Sequence, residues 1–395
     1  MSDFDFYAVL VNLFSLKQGI VDGGITIIKL IPFVILLEIP ASLIAISGMC
    51  YWAYKRQPLT KLKMLPKVSC IITCYGEGDD ILKTIITLCE QTYPGHIEII
   101  PVVDGAIQND DTYQAALKSQ AYADKFTNRT IVILPKWQRG GRVSSVNAGL
   151  EYSSGEIVIA ADGDTSFDND MVVEIVKVFE DPNVPAAGGS LRVRNFSDGI
   201  ATQMQALEYM ISIQASKTGQ GEWNLINNIS GAFGAFRRKF LIQIGGWDTH
   251  TAEDLDLTIR IKQYFGRHPN LRIPFVPLAI GHTDVPASFM QLFNQRLRWD
   301  GDLVFLYMRK HRFAFNPRLV GWKTLLFTAV YGVWQNIALP MLVVIFNVFV
   351  FLHFDINQVV ALLIAQYFFY IAYALVHYLL FLVLVSERRT QDSKA

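Results

Sequence analysis

Residues 68–77 of the chain read VSCIITCYGE, an apolar and β-branched run that ends in a polar turn. Such a run is typical of a strand with both faces buried, as occurs in parallel sheets covered by helices. Residues 157–164, IVIAADGD, have the same pattern and end on Asp162-Gly163-Asp164. The two runs therefore predict buried strands with polar groups at their carboxyl ends.

Strands and helices are predicted to alternate around these two runs. Residues 97–103 and 131–134 are predicted strands, and residues 80–92, 108–124 and 142–151 are predicted helices. The alternation predicts a mostly parallel α/β sheet with right-handed crossovers. Ligands of such sheets lie beyond the carboxyl ends of the strands, so we expect one site there. The polar residues that follow the strands are Tyr75, Glu77, Asp104, Asp162 and Asp164.

Charge is spread unevenly along the 395 residues. The 35 Lys and Arg balance the 35 Asp and Glu, which speaks against a nucleic-acid partner bound by bulk charge. The hydrophobic fraction of 51% and the mean hydropathy of +0.28 exclude a disordered chain. Residues 55–323 hold 30 of the basic and 28 of the acidic residues. We therefore expect a soluble domain between apolar membrane segments.

Three apolar segments are long enough to cross a bilayer core of about 30 Å. Residues 324–354 and 356–386 contain no Asp, Glu, Lys or Arg, and residues 30–54 contain only Glu38. A buried core helix is the alternative interpretation of each segment. Residues 4–20 are more polar, and we expect them to form a helix that lies in the membrane interface.

Basic residues set the expected orientation. Five Lys and Arg lie at 55–67 without an acid, and three more lie at 388–394, whereas the turn at 353–357 has none. By the positive-inside rule the central domain and the C-terminus are cytoplasmic. Three spans then put the N-terminus outside. The predicted location is the cell (plasma) membrane, with several passes through the lipid bilayer.

Three polar motifs follow in chain order. Asp162 and Asp164 flank a glycine, and hard divalent cations bind such carboxylates and bridge them to a diphosphate. Glu253-Asp254 opens a predicted helix, where acids also suit the helix dipole. The third motif, QxxRW, occupies residues 295–299 on a predicted helix that leads to the membrane.

Together with Asp104, these motifs resemble the pattern of the family 2 glycosyltransferases. The resemblance is to the membrane-integrated processive branch, which includes cellulose, hyaluronan, chitin and poly-N-acetylglucosamine synthases. Its pattern is a first Asp, a DxD, a later ED or DD, and QxxRW. The resemblance covers residues 66–300 and the flanking spans. It implies an α/β GT-A-type (Rossmann-like) cytoplasmic domain with flanking transmembrane and interfacial α-helices.

The resemblance also implies an activity. The chain would be an inverting, metal-dependent hexosyltransferase that moves a sugar from a UDP-sugar to a growing glycan, coupled to export. Asp162 and Asp164 would hold Mg²⁺ or Mn²⁺ on the diphosphate. Asp254 would be the general base, with Glu253 as the alternative. The residues that would bind the donor nucleotide are Tyr75, Glu77, Asp104, Arg142, Asp162, Gln295 and Arg298.

Three residues are expected to contact the acceptor glycan. The ring of Trp299 would stack on an acceptor sugar, although a place in an interfacial aromatic belt is the alternative. Gly231 and Phe233 belong to a small-residue loop that resembles the acceptor-end loop of the family. Two departures from the family pattern are Asp104 in a Val-Val-Asp-Gly context and Arg142 where Lys is common.

The sequence leaves the product open. The leading hypothesis is a polysaccharide synthase, and the closest alternative is a non-processive transferase that adds one sugar to a lipid acceptor. A transporter or membrane scaffold is the alternative from another class, but the acids lie in the soluble part of the chain. Whether a homo-oligomer or an export partner completes the path is not determined by the sequence.

Four parts are predicted along the chain. They are residues 1–54, an N-terminal interfacial segment and transmembrane helix; residues 55–285, the cytoplasmic GT-A domain; residues 286–322, the QxxRW motif and interfacial helices; and residues 323–395, two C-terminal transmembrane helices and a cytoplasmic tail.

Overall fold

The central sheet is built on β1 (Val68–Cys74), in which every residue is buried. The structure, a computed structural model, describes residues 5–23, 38–55, 62–248 and 252–386. The other strands are β2 (Ile97–Asp104), β3 (Arg129–Ile131), β4 (Leu134–Lys136), β5 (Ile157–Asp162), β6 (Ser166–Phe167), β7 (Ala186–Val193), β8 (Phe233–Arg237) and β9 (Phe275–Thr283).

Helices flank this sheet and form both ends of the described chain. They are α1 (Phe6–Gly23), α2 (Ile39–Lys55), α3 (Asp80–Cys89), α4 (Asp110–Ala123), α5 (Gly141–Tyr152), α6 (Met171–Val178), α7 (Ile200–Glu208), α8 (Ser216–Glu222), α9 (Arg238–Gln243), α10 (Glu253–Lys262), α11 (Phe289–Val304), α12 (Pro317–Val320), α13 (Trp322–Phe327), α14 (Leu339–His353) and α15 (Ile356–Leu384). Wider π-type turns join several of them, at Tyr209–Ala215, Phe305–Lys310 and Thr328–Ala338.

The parallel half of the sheet is as predicted. β1 pairs in parallel with β2 and β5, and β2 pairs in parallel with β3 and β4. The predicted strand at 131–134 is instead two short strands that pair with β2 in one register, and the Val132 N–H bonds to the Ile99 carbonyl between them. The rest of the sheet is mixed, since β8 runs antiparallel to both β5 and β7.

Both faces of the sheet are covered, which explains the uninterrupted apolar runs. Along β1, Cys70 and Ile72 pack into one apolar cluster, together with α3, α4 and α6. Ile71 points to the opposite face and packs with α5, α9 and α10. The resulting α/β domain has its parallel strand ends at one edge, where the polar residues collect.

Two described helical segments are long and apolar enough to cross a membrane, Trp322–His353 and Ile356–Leu384. α1 packs along α15 from its first residues, where the Asp5 N–H bonds to Asn357 Oδ1 at 3.0 Å. This packing differs from the expectation of a helix lying flat in the interface, because one buried face of α1, at Val9, follows an apolar helix.

The first predicted span, residues 30–54, lies partly outside the described residues. Its described part, α2, packs closely on α8 of the α/β domain. Gly48 and Gly219 lie at this contact: a Cβ on Gly48 would clash with the backbone of Gly219, and a Cβ on Gly219 would clash with the backbone of Ala45. The Trp223 indole N–H bonds to the Ile44 carbonyl at 3.2 Å. One face of α2 is therefore covered by protein.

A buried carboxylate at the amino edge of the sheet provides a stability test. Glu98 on β2 accepts hydrogen bonds from Ser69 Oγ at 2.5 Å, Lys67 Nζ at 3.0 Å and Ser154 N at 2.9 Å. Burial alone would raise its pKa, but these donors lower the pKa to about 2. The charged form of Glu98 therefore stabilises the fold.

Glu98→Gln is expected to lower the free energy of unfolding by about 1–3 kcal/mol at pH 7, because it removes the charge that these donors face. The difference from wild type should be constant above pH 4.5, the ordinary pKa of a glutamate in the unfolded chain. It should shrink as the pH falls towards 2, the pKa of Glu98 in the folded protein. Denaturant unfolding of the full chain in micelles measures both effects. A difference below about 0.5 kcal/mol at pH 7 contradicts the assigned role.

Candidate active site

The candidate site lies at the carboxyl ends of β1, β2 and β5. Thr73, Asp104 and Asp162 stand at these ends and are brought together by the parallel registers. Arg142 comes from the first turn of α5, and Glu253-Asp254 from the first turn of α10. The sequence motifs, which are up to 150 residues apart, therefore converge on one edge.

Arg142 connects these motifs through a single guanidinium group. Its Nε donates to Glu253 Oε1 at 2.5 Å, and its Nη2 donates to the Gly231 carbonyl at 2.6 Å. Its Nη1 donates to Thr73 Oγ1 at 2.9 Å and also to Asp162 Oδ1. A planar fork with five donors can serve such a set, whereas a lysine could not span it.

Asp104 holds the turn from which α5, the helix of Arg142, begins. Its carboxylate accepts from the Gly140 and Gly141 N–H groups, both at 2.8 Å, and from Lys136 Nζ at 2.7 Å. Burial alone would raise the pKa of Asp104, but these three donors lower it. Gly141 has a φ of +79°, which glycine tolerates best. The structure thus places Asp104 in the site, with its oxygens holding the turn that starts α5.

The Asp162-Gly163-Asp164 turn lies against Glu77. A Cβ on Gly163 would come within 2.9 Å of the Glu77 side chain, so glycine permits this approach. Glu77 Oε2 is buried and has no hydrogen-bond partner among the described residues. Burial, and then the charge of Asp164, raises the pKa of Glu77. Burial and the charge of Asp284 likewise raise the pKa of Asp164.

These carboxylates suit a divalent cation by their chemistry. Asp162 and Asp164 present hard oxygen atoms, and the unpaired oxygen of Glu77 lies beside their turn. The described residues form no group of three or more metal-binding side chains. A cation held here would therefore need further oxygens from a diphosphate and water, which is how Mg²⁺ is usually bound.

Asp254 and Glu253 have different surroundings. Asp254 is half-buried, and its Oδ2 accepts from the Gly231 N–H at 3.1 Å and from Asn228 Nδ2 at 3.0 Å. Glu253 is buried and ion-paired to Arg142. Burial raises the pKa of Glu253, the Arg142 charge opposes this rise, and the Asp254 charge adds to it. Of the two acids, Asp254 is the more accessible to a substrate.

Lys217 and Asn228 were missed by the sequence reasoning. Lys217 Nζ, on α8, donates to the Asn228 carbonyl at 2.9 Å, and the Asn228 side chain donates to Asp254. Burial lowers the pKa of Lys217 to about 8, and the Asp254 charge partly opposes that shift. No local pattern in the sequence marks Lys217, because its partners lie 11 and 37 residues away.

The acceptor residues have different positions. Gly231 lies between the two acids, and a Cβ there would come within 3.2 Å of Glu253 Oε1. Phe233, expected to contact the acceptor, is fully buried in β8 and packs edge-on against Phe167. Phe233 therefore does not face an acceptor, because the partly exposed residues of this segment lie in the loop before β8. Phe233 supports that loop from the core.

The QxxRW residues lie on α11. Arg298 is exposed, and Trp299 is 41% exposed with the Arg296 guanidinium 4.6 Å from its ring centre. Gln295 Oε1 is buried without a hydrogen-bond partner in the described chain. Among the described residues, no hydrogen bond links Gln295 or Arg298 to the acids. The structure therefore joins the first three motifs by direct contacts, and QxxRW makes no such contact with them.

Tyr75 forms an exposed platform next to the acid cluster. Its ring is 46% exposed, and the Arg139 guanidinium lies 3.9 Å from the ring centre. Tyr75 follows β1 directly and is the aromatic neighbour of Glu77. The face of its ring can therefore stack with a planar group, as it does with the guanidinium of Arg139.

Comparison with known proteins decides the family of this domain. Residues 69–245 match the family model described as Glycosyl transferase family 2. These residues are a family 2 glycosyltransferase domain. Over 249 residues the chain is 27% identical to the poly-β-1,6-N-acetyl-D-glucosamine synthase of Staphylococcus aureus (strain MSSA476), covering 63% of this chain and 57% of that protein. The synthase of Staphylococcus epidermidis is 27% identical over 278 residues, covering 68% and 64%.

A solved structure shares the fold of this chain. It is a mannosyltransferase from Pyrobaculum calidifontis, in complex with GDP-Man and Mn²⁺. It is 18% identical, with a TM-score of 0.55, and the match covers 87% of this chain and 95% of that one. The likeness confirms the GT-A-type α/β fold. The Staphylococcus aureus relative is longer, since the chain spans 57% of its length.

Lys217 provides a pH test of the glycosyltransferase site. We expect kcat/KM to fall as the pH rises through about 8, because Lys217 then loses the charge that faces Asp254. Lys217→Arg keeps its charge to far higher pH and should remove this descending limb. Lys217→Met should be slower by about tenfold or more below pH 8, and should lack the descending limb because it has no charge to lose.

The pH profiles of the four proteins, with Lys118→Met as an exposed control on α4, measure this effect. An unchanged descending limb in Lys217→Arg assigns the titration to another group and contradicts the role of Lys217.

Proposed function

We propose that the chain is a membrane-bound polysaccharide synthase that transfers sugar from a UDP-sugar to the end of a growing glycan. One observation carries the proposal. The Gly231 N–H binds Asp254, the Gly231 carbonyl binds Arg142, and Arg142 binds Asp162. An acid able to take a proton is thereby linked to the acid turn suited to a diphosphate. The similarity to the staphylococcal synthases supports the polymer as product.

The proposed step is a single displacement. The acceptor hydroxyl oxygen attacks the anomeric carbon on the face opposite the diphosphate, which inverts that carbon. The new C–O bond forms as the bond to the diphosphate oxygen breaks, and the nucleoside diphosphate leaves with the electron pair. The hydroxyl proton passes to the carboxylate of Asp254. Asn228 Oδ1, which is buried and unpaired, is placed to accept a bond from a further sugar hydroxyl.

The donor side uses the other acids. Asp162 and Asp164 would hold Mg²⁺ or Mn²⁺, which when bound neutralises charge on the diphosphate. Arg142 would turn part of its fork from Asp162 to the diphosphate, with Gln295 and Arg298 closing from α11. Tyr75 would stack on the nucleobase, and Glu77 would bind near its edge.

The acceptor would lie between α11 and the Gly231 loop, with Trp299 stacked on a sugar ring. Gly231 leaves room for a sugar to approach the backbone, because a side chain there would press on Glu253.

The proposed topology follows the helices at the two ends of the chain. Asn357, at the start of α15, contacts Asp5 near the N-terminus. Phe381 and Val385, near the other end, pack with Met49 of α2 and Met210 of the glycosyltransferase domain. The N-terminus and the domain thus contact opposite ends of one apolar helix. With the domain in the cytoplasm, Asp5 would be on the outer side, in agreement with the topology predicted from the basic residues, and the glycan would leave through or beside the spans.

Product analysis tests the proposed reaction. The full chain in lipid nanodiscs is incubated with a panel of UDP-sugars and GDP-sugars, with Mg²⁺ or Mn²⁺ or with EDTA. We expect a polymer from a UDP-sugar, and none with EDTA. Asp254→Asn should lower the rate about 10²–10⁴-fold while donor binding persists, because it removes only the proton acceptor.

Two matched variants control this experiment. Glu253→Gln should be milder than Asp254→Asn, and Asp111→Asn, exposed on α4, should keep the wild-type rate. A single lipid-soluble product supports the lipid-acceptor alternative in place of the synthase. A rate above about a tenth of wild type for Asp254→Asn contradicts the role of the base.

A further inference from the structure

A buried lysine lies at the junction of the glycosyltransferase domain with the membrane helices. Lys262, in the last turn of α10, is 4% exposed. Among the described residues its ammonium donates no hydrogen bond and pairs with no carboxylate. An isolated charge in apolar surroundings is costly, and such groups are normally paired. Lys262 therefore needs an anion, or loses its proton, in this position.

Lys262 lines a narrow, partly open pocket. The other walls come from the segment that enters the membrane, and most are apolar. They are Ile259, Tyr307, Ala314, Phe315, Val320, Thr324, Leu325 and Thr328. Neither Thr324 nor Thr328 donates a side-chain hydrogen bond to the described residues, so two hydroxyl donors accompany the ammonium.

The pocket lies at the level of lipid head groups. Thr324 and Leu325 belong to the first turns of the apolar segment Trp322–His353. Trp322 and Leu326 beside them are 75% and 67% exposed, as expected of residues that face lipid. The wall of the pocket that Thr324 and Leu325 form is thus next to the place where the hydrocarbon core would begin.

The surrounding charge favours an anion. Residues 303–354 contain no acid, whereas Arg309, Arg312, Arg318 and Lys323 lie in the same stretch. Asp256, on the same helix as Lys262, already binds Arg260, Lys310 and His311. Lys262 is therefore a buried cation without a carboxylate partner among the described residues.

We propose that this pocket binds the phosphate of an anionic phospholipid, with Lys262 as its counter-ion and Thr324 and Thr328 as further donors. The acyl chains would extend along Trp322 and Leu326 into the bilayer. Lipid binding here would tie α10, the helix that carries Asp254, to the apolar segment Trp322–His353. The site is separate from the acids at the strand ends and does not depend on the proposed reaction.

Lipid titration of the full chain in zwitterionic detergent micelles tests the site, with bound lipid counted by native mass spectrometry. Dioleoyl phosphatidylglycerol, dioleoyl phosphatidylcholine and soluble glycerol 1-phosphate are the three ligands. Lys262→Met should weaken phosphatidylglycerol binding by about tenfold or more without loss of thermal stability, because it removes a buried unpaired charge. Ala314→Leu, which fills the pocket and keeps the lysine, should weaken binding similarly.

Lys323→Met is the matched control, because Lys323 is an exposed lysine next to Thr324. It should change phosphatidylglycerol binding less than twofold. Wild-type binding by Lys262→Met, or an equal loss in Lys323→Met, overturns the proposal. Equal affinity of wild type for phosphatidylcholine also overturns it, because binding would then not require a net anionic charge. Equal affinity for glycerol 1-phosphate overturns it as well, because binding would then not require the acyl chains.

Discussion

The site depends on one guanidinium group that satisfies acids from two different motifs. Arg142 binds Asp162 of the DxD turn and Glu253 of the ED pair, which are 91 residues apart. Without this cation, the two carboxylates would lie together at the strand ends with their charges unbalanced. Asp104 accepts hydrogen bonds from the Gly140 and Gly141 N–H groups and so positions the start of α5, which carries Arg142. The first motif therefore positions the guanidinium that binds the other two motifs.

The second constraint is the connection of Asp254, the proposed base, to the helices at the two ends of the chain. Asp254 is held by Gly231 and Asn228, and Asn228 is bonded to Lys217 of α8. The same short helix packs on α2 at Gly219, where two backbones touch. In the same first turn of α10, Asp256 is bound by Lys310 and His311 of the segment that leads to the apolar helices. Asp254 is thus connected on two sides, through direct contacts, to helices that lead to the apolar segments.

Local patterns predicted the parts of the fold that depend on local chemistry. The buried runs at 68–73, 97–103 and 157–161 are strands, and the acids after them are at one edge. The reversal of β8 was not predicted, because a short strand carries no signal of its direction. The burial of Phe233 was missed for a related reason, since the sequence does not give the point at which the loop becomes a strand.

The long-range contacts could not be read from the sequence. Lys217 is an ordinary residue of a helix until the fold places it near Asp254, and Gly219 has no visible partner until α2 packs on it. The four partners of Arg142 are likewise 20 to 111 residues away. The motifs in the sequence indicate which residues belong to the site. Packing determines which of these residues are in contact.

A double-mutant cycle on Arg142 and Glu253 tests the central claim most directly. The kcat/KM for nucleoside diphosphate release is measured for wild type, Arg142→Gln, Glu253→Gln and the double variant. If one guanidinium joins the two acid motifs, the double variant should lose much less than the product of the single losses, with a coupling of about 1 kcal/mol or more. Losses that multiply, within about 0.3–0.5 kcal/mol of additivity in free energy, would contradict it.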